Sequence, residues 1–496
     1  MKTPAFVIHP RDNIAVAFTP LDAGMTVDIG GRQVRLPAAV PAAHKFALRP
    51  IRMGDAVMKY GQPIGRAIRD IGEGAWVHVH NVRTNLDSVL DYTYAPAIEP
   101  LRRMDDGRTF LGYRRPNGEV GVRNEIWIIP TVGCVNEIAQ TLARQLNSRP
   151  MPGNIGGVFA LSHPHGCSQL GGDHAATQQI LAGLAQHPNA GAVLLVGLGC
   201  ENNTMASFRA LIPQADSPRY RFMVAQEVAD ELATGRLLLN ELVDYAASFH
   251  RERVPLAELR VGLKCGGSDG FSGITANPLV GAFSDYLINR GGTTVLTEVP
   301  EMFGAEALFL NRCASQQVFD DCVTMINGFK EYFQRYNQVV YENPSPGNKD
   351  GGITTLEEKS LGCLQKGGTS QVVDILAYGA RLRRPGLNFL TGPGNDIVSV
   401  TAMAAAGAHL ILFTTGRGTP LGGPVPTMKI STNTDLATRK SNWIDFDAGR
   451  LIAGGTLPEL AATLCDHVIE TANGQPTQNE QNGFREIAIF KDGVTL

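Results

Sequence analysis

The chain has 496 residues, with 44 Lys and Arg against 47 Asp and Glu and a formal net charge of −3. At ~150 residues per domain this length predicts about three domains, and the near balance of charge excludes a nucleic-acid scaffold, which needs a clustered basic excess. Hydrophobic residues at 43% and charged residues at 18% exclude a disordered chain, no run reaches the ~18 apolar residues of a membrane span, and 55 Gly with 29 Pro predict a turn-rich globular protein.

The opening residues, MKTPAFVIHPRDN, carry no apolar core long enough for a secretory signal. Eight cysteines in a chain of this size are no disulfide framework, so reduced thiols in the cytoplasm are expected. Short strand-like pieces (NIAVAF, TVDI, RQVRL, HKFAL, WVHVH) separated by Gly, Pro and Asp predict an all-β module over 1–82. Polar, proline-containing sequence follows and reads as a linker over 83–124.

Apolar runs then alternate with helical spacing. EIWIIPTV, GGVFALSH and AGAVLLVGLG read as buried parallel strands, with helices over Val135–Asn147 and His174–Gln186. This is a middle α/β domain, 125–255, closing with a helical patch at Val228–Glu252. A second series (LRVGLKC, GTTVLTEV, LNFLTGPG, HLILFTTG) makes 256–496 another α/β domain.

Candidate chemistry lies at the predicted strand ends. Cys134, Cys167, Cys200, Cys265 and Cys363 share one local context, and four of the five follow strands. In an open parallel sheet those ends form the ligand crevice, so the thiols could converge on one metal or iron–sulfur site, or be buried as small hydrophobes. Cys313, Cys322 and Cys465 fall in helical contexts and read as structural. His163, Cys167, Asp173 and His174 gather polar groups where a strand gives way to a helix, a place for catalysis or anion binding, or for a helix cap at Asp173.

In the β module, His78 and His80 stand two apart on a predicted strand and so face one side, and His44-Lys45 lie on another. They form either a base or metal cluster or a set of surface residues. Glycine-rich turns carry Ser268 and Asp269, then Asn395 and Asp396, whose polar groups could bind a carboxylate, a hydroxyl or, with Glu298, a hard cation. Arg123 and Arg417 suit a carboxylate clamp. No turn has the spacing of a nucleotide-binding glycine loop in its required context.

Longer segments carry a resemblance. AAHKFAL, VHVHNVRTNL, YRRPNGEVGVRNEIWIIPTVGCVN, HGCSQLGGDH, NAGAVLLVGLGCENN, CGGSDGFSGITANP, YENPSPGNKDGGITTLEEKSLGC, TGRGTPLGGPVPTMKI and NWIDFDAGR together resemble the altronate/galactarate dehydratases. The similarity runs from about Asp12 to the terminal FKDGVTL, with one departure: His165 stands where the pattern SHxxGCSQLG has an aromatic residue.

The resemblance implies a β-clip module of the SAF type, a middle domain used for homodimerisation, and a Rossmann-like C-terminal sheet able to hold a metal. It implies loss of water from D-altronate to give 2-dehydro-3-deoxy-D-gluconate in hexuronate catabolism, with Fe²⁺ or Mn²⁺ required and an iron–sulfur cluster as the other form iron could take. His44, Lys45, His78 or His80 would take the C2 proton. Arg123, Ser268, Asp269, Asn395, Asp396 and Arg417 would hold the sugar acid, and Cys134, Cys167, Cys200, Cys265, Cys363 and His163 the metal. A galactarate dehydratase, a sulfolactate-type lyase and a non-catalytic sugar-acid binder are the competing readings. No nucleic-acid or membrane partner is expected.

Overall fold

The computed structural model describes residues 4–86, 92–98, 102–104 and 106–496. The N-terminal module is all β: β1 (Ala5–Phe6), β2 (Ile14–Ala17), β3 (Thr26–Ile29), β4 (Arg32–Arg35), β5 (Lys45–Ala47), β6 (Ala56–Lys59), β7 (Gln62–Ala67), β8 (Trp76–Val77) and β9 (Val82–Arg83). They form three small sheets, ordered β1-β2-β5-β8, β3-β4 and β6-β7-β9. β8 ends at Val77, because Asn81 Oδ1 accepts the His78 N–H at 2.9 Å and turns the chain. His78 and His80 therefore sit in a turn, not on a strand.

Of the stretch read as a linker, residues 87–91, 99–101 and 105 lie outside the described residues. Its second half is ordered: β10 (Thr109–Arg114) pairs antiparallel with β11 (Val120–Gly121). The middle domain follows with β12 (Glu125–Pro130), β13 (Val158–Ala160), β14 (Ala190–Gly197) and β15 (Tyr220–Val224), a parallel sheet ordered β13-β12-β14-β15. β16 (Arg251–Pro255) then runs back along β10, so the predicted linker is fastened to the end of the middle domain.

The C-terminal domain holds β17 (Arg260–Cys265), β18 (Thr293–Leu296), β19 (Val372–Leu376), β20 (Gly386–Leu390), β21 (Leu410–Thr415), β22 (Thr427–Ser431) and β23 (Phe446–Asp447). All run parallel in the order β19-β20-β18-β17-β21-β22-β23. Their residues are nearly all buried, as expected when helices cover both faces. The architecture is the expected one, an all-β module followed by two α/β domains. No helix among the described residues is long and apolar enough to cross a membrane.

Two buried cores join the parts. One runs without a break from Ile14, Val57 and Ile64 of the N-terminal module into Leu263, Phe271 and Leu361 of the last domain. The other lies between the two parallel sheets, where the Gly171–Ala185 and Asp396–Ala406 helices meet. Gly183 makes that contact close: a Cβ there would lie 2.6 Å from the Ala405 carbonyl oxygen.

Candidate active site

In the C-terminal sheet the chain goes from β17 to β18 on one side and later places β21, β22 and β23 on the other. The loops after β17 and β21 consequently diverge, and an open parallel sheet forms its ligand crevice at such a switch point. The amides of Gly416 and Arg417 both donate to the Gly267 carbonyl, at 3.0 and 2.9 Å, holding the two loops together. Above them lies a cavity of about 980 Å³ lined by Asp269, Arg417 and Asn433 from the sheet, Asp350 and Gly351 from a long connection, and Ala43 of the N-terminal module. Module and domain touch backbone to backbone: Cβ atoms at Gly270 and Gly352 would lie 2.0 and 2.4 Å from the Ala43 carbonyl oxygen.

Arg417 presents an exposed guanidinium at this cavity and suits an anionic ligand. Asp269 lines the same space with its carboxylate engaged. It accepts from the Phe271 amide (3.1 Å), Ser272 Oγ (3.2 Å), Thr432 Oγ1 (2.9 Å) and Asn433 Nδ2 (3.3 Å), which makes it a brace for the two loops. Ser268 is buried beside it, its carbonyl accepting from Asn348 Nδ2 at 2.9 Å. Asn395 caps the helix at Asp396, accepting from the Val398 amide, and Asp396 binds Lys264 Nζ at 2.8 Å.

Behind the cavity the N-terminal module drives Lys45 and Lys59 into the domain. Both ammonium groups reach Glu358 at 2.8 Å, and all three are buried. Lys45 also donates to Gly352 O at 2.7 Å and Thr354 Oγ1 at 2.8 Å, so its three N–H bonds are engaged. One carboxylate between two ammonium groups leaves a charge of 2 − 1 = +1. Burial, against the pull of Glu358, brings Lys45 down to about 8, while Lys59 is held above its ordinary value.

The histidines divide by their partners. His44 Nδ1 accepts from Trp76 Nε1–H at 3.1 Å, which leaves its Nε2–H to donate to Asp350 O at 3.2 Å. Both nitrogens are thereby engaged, and burial lowers its pKa. His78 stands 4.9 Å away, ring centroid to ring centroid, with Nδ1 at 3.1 Å from Thr354 Oγ1. Its Nε2 takes no hydrogen bond among the described residues. Desolvation, then the Lys45 charge, push His78 down to about 3, so its imidazole is neutral at physiological pH. His80 does not join them: it is exposed, and its ring lies against Trp76.

The helix Leu356–Cys363 supplies charges that sequence reasoning missed. All eight residues are buried although three consecutive ones are Glu357, Glu358 and Lys359. Successive helical residues point ~100° apart, so each meets a different partner. Glu357 accepts from Thr84 Oγ1 and the Asn85 amide, Glu358 takes the two module lysines, and Lys359 binds Glu301 at 2.9 Å. A charged run with no polar face was the signal in the sequence.

The six predicted metal ligands separate. Cys265 and Cys363 meet at 3.2 Å, with Glu301 Oε2 at 3.2 and 3.1 Å from their sulfurs, all buried. Lys359, Lys264 and Lys366 overcome the burial cost and hold Glu301 well below the usual carboxylate range. The hydrogen bond with Cys265, then burial, push the Cys363 thiol up. Cys134, Cys167 and Cys200 are instead exposed, on the middle domain. Both ring nitrogens of His163 are engaged: Nδ1 accepts from the His165 amide (3.1 Å) and Nε2 therefore donates to Pro130 O (2.8 Å).

Arg123 is not at the crevice. Its five N–H groups go to Glu480 twice, at 2.8 and 3.0 Å, and to the carbonyls of Val122, Thr471 and Gln475, which makes it a buried strut. Asp173 does not cap its helix, but accepts from the amides of Asp492 and Gly493 and fastens the C-terminal segment.

Three family descriptions match in series: the altronate/galactarate dehydratase SAF domain over 3–85, the D-galactarate dehydratase/altronate hydrolase second domain over 112–247, and the D-galactarate/altronate dehydratase C-terminal domain over 256–495. Altronate dehydratase of Escherichia coli (strain K12) is 54% identical over 490 residues, 99% of each chain. Altronate dehydratase of Bacillus subtilis (strain 168) is 50% identical over 493 residues, again 99% of each. The chain belongs to the altronate/galactarate dehydratase family. Galactarate dehydratase (L-threo-forming) of Escherichia coli (strain K12) is similar at 33% over 514 residues, 97% of this chain and 96% of that protein. In family terms the SAF domain is the module that inserts Lys45 and Lys59, and the crevice it closes belongs to the C-terminal domain.

Proposed function

We propose that this chain is a hydro-lyase that removes water from D-altronate to give 2-dehydro-3-deoxy-D-gluconate. The observation that carries this reading is the full-length similarity to two altronate dehydratases, joined to a cavity lined by Arg417 and by Asp350, whose carbonyl binds His44, the ring neighbour of the neutral His78. Arg417 holds the substrate carboxylate. The surplus positive charge of the Lys45–Glu358–Lys59 group draws the anion inward and favours the enediolate-like charge that develops on C2 deprotonation. His78 is the base: with its Nδ1–H donated to Thr354 Oγ1, which has a second lone pair for Lys45, the Nε2 lone pair is available to take the C2 proton. A general acid then protonates the departing C3 oxygen, and the enol product tautomerises to the 2-keto acid.

His44 holds the 350–354 connection in place and is a positioning residue. The family resemblance carries the expectations of a required metal, a homodimer and the cytoplasm. The Cys265–Glu301–Cys363 group is a poor home for a dication. Two thiolates on one ion with ~2.3 Å bonds stand roughly 3.8 Å apart, whereas these sulfurs lie at 3.2 Å with Lys359 already on the carboxylate.

The test is an anaerobic assay with Fe²⁺ and a reductant, comparing altronate, galactarate and sulfolactate, reading 2-keto-3-deoxy acid for the sugar acids and sulfite for sulfolactate. Preferential turnover of altronate is expected. Preference for another substrate moves the specificity, and binding without turnover of any of them overturns the reading.

A further inference from the structure

The starts of β20, β18, β17 and β21 stand side by side, at the edge of the C-terminal sheet opposite the crevice. Gly386, Thr293, Arg260 and His409 occupy those starts in that order, each beside the next. Together with Arg383, Arg384 and the Asn117–Val120 turn that joins β10 to β11, they line a cavity of about 380 Å³. β21 has six residues, so at ~3.3 Å per residue it separates this cavity from the Arg417 end of the sheet by roughly 20 Å.

His409 is 1% exposed, and its place is fixed: its amide donates to Arg260 O at 2.8 Å and its carbonyl accepts from Asn189 Nδ2 at 2.9 Å. Burial, then the Arg260 charge, hold the ring well below the ordinary histidine value and keep it neutral. Nδ1 accepts from the Arg260 amide at 3.2 Å, so the single ring proton is on Nε2. That buried N–H has no acceptor among the described residues, a desolvation cost that no protein contact offsets.

Three arginines and two glutamates line the cavity, a surplus of 3 − 2 = +1. The glutamates are occupied: Glu119 takes Arg260 at 3.0 Å and Arg381 at 2.8 Å, and Glu258 takes Arg114 at 3.0 Å. Arg383 and Arg384 are exposed and have no carboxylate partner among the described residues, although Arg384 gives one N–H to Val373 O at 3.2 Å. Two guanidinium groups and one orphaned N–H thus border one space. A ligand that satisfies all three is an acceptor-only anion with oxygens in several directions. A phosphate monoester has three terminal oxygens in a tetrahedral array, whereas a carboxylate has two in one plane. The volume falls in the ~300–1,000 Å³ range of small-molecule pockets and leaves room for more than the phosphate itself.

We propose that this cavity binds a small phosphate ester at a site separate from the crevice, with Arg383 and Arg384 on the phosphate oxygens and His409 Nε2–H donating to another. The ligand lies between the β10–β11 turn and the C-terminal sheet, and it gives the buried N–H the acceptor that the protein lacks. The site stands on this cavity alone and not on the identity of the sugar acid.

The experiment is isothermal titration calorimetry of the full chain, at fixed ionic strength, with glucose 6-phosphate, inorganic phosphate, citrate and glucose. Saturable binding of one glucose 6-phosphate per chain is expected, with weaker binding of inorganic phosphate and none of glucose. R383Q and R384Q are each expected to raise Kd about 10- to 100-fold, the worth of a charge-assisted hydrogen bond, with unchanged circular dichroism. H409Q, which keeps an N–H at the same reach, is expected to lose less than H409M. Both arginines are exposed, so their variants fold and carry the test whatever the His409 variants do. R417A is expected to bind as the wild type does. No saturable binding at millimolar concentration, or R383Q and R384Q both binding as tightly as wild type, overturns the proposal. Binding lost in R417A alone moves the ligand to the crevice and overturns it too, and citrate binding tighter than glucose 6-phosphate overturns the ligand class.

Discussion

At the scale of single residues, what a side chain can do depends on which of its polar atoms are already taken. His44, His78 and His163 are all buried and all neutral, yet only His78 keeps a ring nitrogen without a partner among the described residues. Replacing it removes the base and little else: H78Q is expected to lower kcat by about 10²- to 10⁴-fold with KM nearly unchanged, and H44Q to act less. Equal losses in the two variants would return the role to an open choice. The arginines separate in the same way. R417A is expected to raise KM by roughly 10- to 100-fold, the worth of a hydrogen-bonded charge pair, whereas R123M leaves KM alone and lowers stability.

The same residues set a pH profile. Lys45 is lowered from its ordinary value to about 8 and His78 to about 3. Below pH 8 the ammonium keeps its charge and draws in the anion; as pH rises through 8 that charge is lost, so kcat/KM is expected to fall on the alkaline side. His78 stays neutral well below pH 6, so no limb near the ordinary histidine value is expected. A profile that rises through an acid midpoint near 6.5 and shows no decline by pH 9 would remove both assignments.

Sequence reading at this scale found residue types better than neighbours. His44, Lys45 and His78 were visible in AAHKFAL and VHVH because such polar residues stand out in short strands. His80 was misplaced because the strand ends at Val77, an ending made by the Asn81 side chain and not by any periodicity. Arg123 drew notice as an arginine beside an apolar strand, but its Glu480 partner lies 357 positions away.

At the scale of elements, the Leu356–Cys363 helix connects three parts of the molecule through three consecutive charges. Its sequence shows the charges without showing that all are buried, because burial here is imposed by the docked module. The Glu358 carboxylate is the most sensitive point. In E358Q two buried ammonium groups lose their counter-charge, and breaking such a pair costs ~3–5 kcal/mol. Denaturant unfolding is expected to show that loss, and K45M in the same background to recover part of it by removing one of the stranded charges. No recovery would mean the lysines are compensated from elsewhere. The buried strands of both sheets were legible as uninterrupted apolar runs, whereas β10 was not: its partner β16 arrives only after the whole middle domain has been built.

At the scale of the whole molecule, the proposed mechanism requires the N-terminal module to stay seated on the C-terminal crevice. The contact combines the apolar core that runs from Ile14, Val57 and Ile64 to Phe271 and Leu361 with a close approach of backbones around Ala43, Gly270 and Gly352, the lysines inserted beside it. Gly352 is critical twice over, because its φ of 97° is one that L side chains rarely adopt and because a Cβ would meet Ala43 O at 2.4 Å. G352V therefore is expected to lift the module, and Lys45 and His78 with it, while leaving every catalytic side chain chemically intact. Turnover should fall at least as far as in H78Q, and limited proteolysis should release the N-terminal module while the two α/β domains remain protected. Each domain keeps its own secondary structure, so circular dichroism should change little. If G352V kept full turnover, the base would have to come from the C-terminal domain itself, and the lysines and histidines of the module would be left with a purely structural part.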